Sequence, residues 1–125
     1  MFQNAKNSKK QGDIGMGAAI SHYIKQGYTV SIPITDSQEY DLIVDDGLIK
    51  RVQVKTTSYI RKGNFTANLS TKGGNRSFNT IKNFDNILYI ICSNGDEYSI
   101  PTIDLNLKSS IALGIKYQKY KIMGR

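Results

Sequence analysis

A chain of 125 residues and 14.0 kDa is long enough for one hydrophobic core and too short for two, so residues 1–125 are expected to form a single domain. Its 39% hydrophobic and 22% charged content excludes collagen-like and broadly disordered classes. The longest uncharged apolar-rich runs, residues 14–24 and 87–92, fall short of the roughly 18–20 residues a membrane span needs. No apolar segment of signal-peptide type follows the first lysines, and the lone Cys92 agrees with a reducing compartment, so a cytoplasmic protein without a membrane partner is expected.

Charge is the first functional signal. The 17 Lys and Arg against 10 Asp and Glu leave a net +7, and between Gly47 and Phe84 there are eight basic residues and no acidic one. A block of one sign attracts phosphate backbones through counterion release, although a solvated basic face gives the same composition.

Residues 1–10 are polar and lysine-rich and are expected to form a flexible basic arm. Asp13 is placed to cap a helix in which Ile14, Ala18, Ile20, Tyr23 and Ile24 recur at helical spacing, with Gly27 as its stop. Residues 28–34 alternate as a strand, with Pro33 marking an edge or an end. After a polar turn, residues 40–45 and 49–56 read as a hairpin around Asp46-Gly47. Residues 59–77, glycine-bearing and basic, suggest a mobile loop or twisted ribbon around a short strand at 65–69. Residues 87–92 fit a strand buried on both faces, turned by Ser93-Asn94-Gly95-Asp96 into a partner at 97–100. The final segment, SSIALGIKYQKYKI, fits a short turn and a packed strand or tail. A helix ahead of a mixed sheet defines an α/β or α+β layer fold.

The Asp46-Gly47 hairpin gathers chemistry. If residues 46–48 turn the chain, Asp45 faces Ile49 and Asp41 lies opposite Gln53, two residues from Lys55 on the same strand face. Leu42, Val44, Val52 and Val54 then share the other face, and a one-residue slip would destroy this division. Asp41 and the Gln53 carbonyl are suited to a hard cation such as Mg²⁺ or Mn²⁺. Lys55 is suited to orienting water and stabilising a phosphorane, which suggests metal-assisted phosphodiester hydrolysis. Lys50, Arg51, Arg61, Lys62, Lys72 and Arg76 are the candidate nucleic-acid contacts. His22 and Cys92 read as structural, and Tyr28, Tyr40 and Tyr89 as packing residues of the strands.

The runs QGDIG, KQGYTVSIP, YDLIVDDG and RVQVKT, in this order, resemble the PD-(D/E)xK nuclease superfamily. The similarity is to its small QxK group, which includes a homing endonuclease encoded by a bacterial group I intron. It covers residues 10–57 most clearly and extends to the terminal SSIALGIKYQKY. The resemblance implies a restriction-endonuclease-like α/β core with a mixed central sheet, Asp41 as the motif aspartate and Gln53-Val54-Lys55 at the (D/E)xK position. It further implies a double-stranded DNA substrate and, since each 14.0 kDa unit offers one metal centre, a homodimer or homotetramer. Such relatives carry a helix-one glutamate that helps complete the metal site; this sequence has Met16 there, a poor Mg²⁺ ligand, and Asp13, one turn earlier, is the alternative oxygen donor.

Three functions stay open on sequence: a metal-dependent DNA endonuclease of homing, selfish-element or junction-resolving type; a non-catalytic DNA-binding protein of the same fold; and a basic RNA-binding protein with Asp41 and Lys55 as a surface ion pair.

Overall fold

The computed structural model describes residues 1–69, 86–105 and 109–123. The chain opens with helix α1 (Ser8–Lys25), which begins five residues before Asp13. Its N-cap is Asn7, whose side chain accepts the Lys10 amide at 3.0 Å, so Asp13 lies inside the helix and is not its cap. The expectation of a flexible arm over residues 1–10 is corrected to the same extent: Ser8 to Lys10 are helical, and Phe2 packs against the core. Three glycines weaken the helix by roughly 1 kcal/mol each relative to alanine. Burial of Gly15, Ala19, His22 and Tyr23, one stripe at helical spacing, holds it against the sheet. The helix stops at Gly27 as expected. With φ at +94°, Gly27 donates to Ile24 O and Tyr28 to Tyr23 O, both at 3.0 Å, the paired bonds of a Schellman motif.

A five-stranded sheet follows in the order β1-β2-β3-β6-β7, built from β1 (Thr29–Ser31), β2 (Leu42–Asp45), β3 (Ile49–Thr57), β6 (Asn86–Cys92) and β7 (Glu97–Pro101). The β3–β6 pair is parallel and the others antiparallel, which makes the sheet mixed. As Pro33 implies, β1 is short and lies at the edge. A smaller sheet joins β4 (Ile60–Arg61), β5 (Asn64–Asn68) and β8 (Ser110–Ala112).

Strand β6 separates two apolar layers, and all seven of its residues are buried. Ile87, Tyr89 and Ile91 meet α1 with Leu42, Val44 and Val52, whereas Leu88, Ile90 and Cys92 meet Ala67, Leu69, Ile111, Leu113 and Tyr117 from the second sheet and the 3₁₀ turn that follows it. The expectation of a continuous buried strand is met for that reason. No helix among the described residues is long and apolar enough to cross a membrane.

Candidate active site

The hairpin register is the one the sequence implies. Asp45 pairs with Ile49 and Leu42 with Val52, and Asp45 Oδ1 accepts the Gly47 amide at 2.8 Å inside the turn. Asp41 sits one residue ahead of β2, and its amide donates to Val52 O at 2.8 Å. Its Oδ2 accepts the Val54 amide, also at 2.8 Å, so the carboxylate folds against the backbone of β3. One oxygen is thereby held while the Asp41 side chain faces a pocket.

That pocket, of about 430 Å³, is lined by Lys9, Asp13 and Met16 of α1, by Asp41, and by Val54, Lys55 and Thr56 of β3. Met16 and Asp13 thus stand on the same wall of the pocket. Gln11 ties the two walls together by donating from Nε2 to Thr56 Oγ1 at 3.0 Å. Partial burial raises the Asp41 carboxyl above its ordinary value; the Val54 amide and the Lys55 charge oppose that rise. Burial lowers the Lys55 ammonium, and the Asp41 charge opposes that fall. Two half-desolvated groups of opposite sign therefore support each other's ionisation across the site.

Gln53 is 8% exposed, and its Oε1 is buried without a hydrogen-bond partner. A buried amide oxygen left unpaired is destabilising by about 1–3 kcal/mol, so an orphan on the same strand face as Lys55 calls for a ligand. It does not line the 430 Å³ pocket but lies beside it, across the hairpin register from Asp41. No group of three or more His, Cys, Asp or Glu side chains that could hold a metal occurs among the described residues, so any cation site here has few carboxylates.

The candidate DNA contacts divide by position. Lys50 is 5.5 Å from the Tyr28 ring centroid and Arg51 is 5.7 Å from that of Tyr40, so both half-buried cations are engaged by the protein's own aromatics. Arg61 and Lys62 are exposed, at the end of the β4–β5 ribbon. Lys72 and Arg76 lie outside the described residues. Lys9 is not legible in the sequence as a site residue, because the helical spacing begins only at Asp13; with α1 beginning at Ser8, residues 9, 13 and 16 fall on one helical face. His22 is buried between Tyr23 and Tyr89, with ring centroids 4.8 and 6.1 Å away, and burial pushes the Cys92 thiol up to about 12, so neither belongs to the site.

An N-terminal helix over a mixed sheet, with an aspartate and a QxK strand flanking a pocket beneath that helix, is a restriction-endonuclease-like arrangement. Residues 6–122 match the PD-(D/E)XK endonuclease family, to which the chain belongs. Among solved structures it is similar to the bacterial homing endonuclease I-Ssp6803I, with a TM-score of 0.72 and 25% sequence identity over 92% of this chain and 86% of the other. No match is found among curated protein sequences.

Proposed function

We propose that this protein is a divalent-metal-dependent endonuclease that cleaves double-stranded DNA, of the homing or selfish-element kind. The observation that carries this reading is the unpartnered, buried Gln53 Oε1 across the hairpin from Asp41 and two residues from Lys55. This donor set fits Mg²⁺ or Mn²⁺: all-oxygen, few in number, and leaving room for water. Asp41 and Gln53 would hold the cation, with Asp13 as the helix-side oxygen. When bound, such a cation polarises the scissile phosphate and makes its water more acidic.

The chain's own groups supply the rest. The Val54 amide fixes the Asp41 carboxylate, and the Lys55 ammonium orients the attacking water and stabilises negative charge developing on phosphorus. Lys9, on the helix wall, is placed to meet a phosphate entering the pocket. Arg61 and Lys62, and from the sequence Lys72 and Arg76, add long-range positive charge that draws DNA toward the site. One centre per chain cuts one strand, so a symmetric dimer or a tetramer of dimers acts on a duplex. Nicking of supercoiled plasmid and of junction DNA, measured with Mg²⁺, with Mn²⁺ and with chelator, tests the reading; cleavage unaffected by chelator rules it out.

One observation favours a second reading. Met16 lines the pocket where an oxygen ligand is expected, and a thioether binds Mg²⁺ poorly, so the fold is compatible with DNA binding without cleavage. Tight DNA binding with no nicking under either metal selects this reading, and a preference for RNA over DNA excludes both.

A further inference from the structure

We propose that the β4–β5 ribbon is a sequence reader that enters the major groove of duplex DNA, with Arg61 and Lys62 at its tip contacting base edges. The inference rests on the reading that the substrate is duplex DNA and adds how that DNA is selected.

Backbone conformation is the first observation. Ile60 pairs with Phe65 and Arg61 with Asn64, leaving Lys62-Gly63 as a two-residue turn. Lys62 has φ +53° and Gly63 has φ +82°, the two positive angles of a type I′ hairpin. Lys62 is the one non-glycine residue with positive φ among the described residues, although asparagine, aspartate or glycine satisfies that position with less strain. A long cation thus stands where the turn disfavours it, at the outermost point of the ribbon.

Exposure is the second. Tyr59 and Ile60 are 61% and 56% exposed, and Arg61, Lys62 and Gly63 are exposed as well. The exposed Arg61 guanidinium and Lys62 ammonium match the guanine O6 and N7 acceptors that base edges offer in the major groove. A two-stranded ribbon fits a groove about 12 Å wide.

Anchorage is the third. Thr57, the last residue of β3, donates from Oγ1 to Thr66 O at 2.6 Å, and its Oγ1 also accepts the Tyr59 amide at 3.1 Å; Thr66 N donates to Tyr59 O at 2.9 Å. Beyond these bonds β5 pairs with β8, and Phe65 packs on the core. The root is thus fixed to the strand that carries Gln53 and Lys55, while the tip is exposed. From Lys55 to Arg61 the backbone advances at most about 20 Å and the two long side chains extend that reach, so the bases read lie within about one helical turn of the phosphate at Lys55.

The test selects binding sites from a randomised duplex library with the full chain, then compares Arg61→Ala and Lys62→Gly. The second variant removes the cation while easing the turn, so its unfolding midpoint should match or exceed that of the parent. The parent should enrich a sequence motif and protect guanine N7 from dimethyl sulfate. Each variant should lose preference at one to three adjacent positions, with the specific-to-random affinity ratio falling about tenfold or more. Uniform weakening on all sequences with the motif retained would make the ribbon a phosphate clamp and overturn the proposal, as would DNA binding by the parent without any enriched motif. Absence of any duplex binding by the parent defeats the endonuclease reading itself, a different failure from either of these.

Discussion

Gly15 of α1 lies against Thr56 of β3 so closely that a β-carbon on Gly15 would stand 2.5 Å from Thr56 Cγ2. This approach brings the helix wall, with Asp13 and Met16, over the pocket that Asp41 and Lys55 line. Gly15→Ala should therefore destabilise the protein even though alanine favours the helix by about 1 kcal/mol, because overpacking against a stiff β-branched side chain typically destabilises by about 1–3 kcal/mol. Adding Thr56→Ser removes the clashing methyl, keeps the hydroxyl that Gln11 contacts, and should recover most of the loss in denaturant titrations.

Asp41→Asn and Lys55→Ala should each abolish cleavage while leaving DNA binding and the folded state intact. Asparagine still offers the Val54 amide an acceptor, and the apolar residues Leu42, Val44 and Val52 pack on the face away from Lys55. Plasmid nicking, gel-shift affinity and circular dichroism on the same samples check the three parts. Wild-type cleavage by either variant would remove that residue from the site.

The strand pattern and the site register were legible because a period-2 alternation bounded by Asp46-Gly47 allows one pairing that buries Leu42, Val44 and Val52 together. The helix start was not. Its N-terminal signal is the single Asn7 side chain, and residues 8–10 are polar lysine-rich sequence that becomes helical without contributing to the core. A helix read from Asp13 leaves Lys9 outside it and gives Asp13 the position of a cap. The orphaned Gln53 oxygen was also beyond sequence reasoning, since it depends on burial by residues distant in the chain.

Acid should shift the balance between the parent and Asp41→Asn in metal-free protein. Burial raises the Asp41 carboxyl above 3.8, so its protonation favours the folded state: this contribution is fully present below 3.8 and is lost as pH rises through the elevated folded value. Lys55 runs in the opposite sense, its contribution present above 10.5 and lost as pH falls through the lowered folded value. In chelator, the unfolding midpoint of the parent should thus gain on that of Asp41→Asn as pH falls from about 7 to about 4. Added Mg²⁺ at neutral pH should stabilise the parent and not the variant. A difference independent of pH would mean that Asp41 is not desolvated.

Assembly follows from the count of centres. With one proposed centre per 14.0 kDa chain, cutting both strands at one locus would call for a second copy, and closed symmetry is the usual solution. Sedimentation should give a dimer or tetramer, free or on DNA, and duplex cleavage should proceed through paired nicks. A monomer under both conditions contradicts this expectation.

Met16 is the sharpest test of the metal site. It lines the pocket with Asp13, Asp41 and Lys55, so Met16→Glu would place a carboxylate where the parent has a thioether. Magnesium takes oxygen and disfavours sulfur, and a second negative charge beside Asp41 deepens the attraction for a divalent cation. Calorimetric titration with Mg²⁺ should therefore show tighter binding in Met16→Glu, and Mg²⁺-dependent nicking should appear or rise. The parent's residual activity, if Asp13 supplies the helix-side oxygen, should fall in Asp13→Asn, whereas that change should matter less once Glu is present at position 16. If Met16→Glu alters neither metal affinity nor nicking while the parent cuts efficiently and Asp13→Asn does not, then Asp13 is the helix-side ligand and position 16 is not.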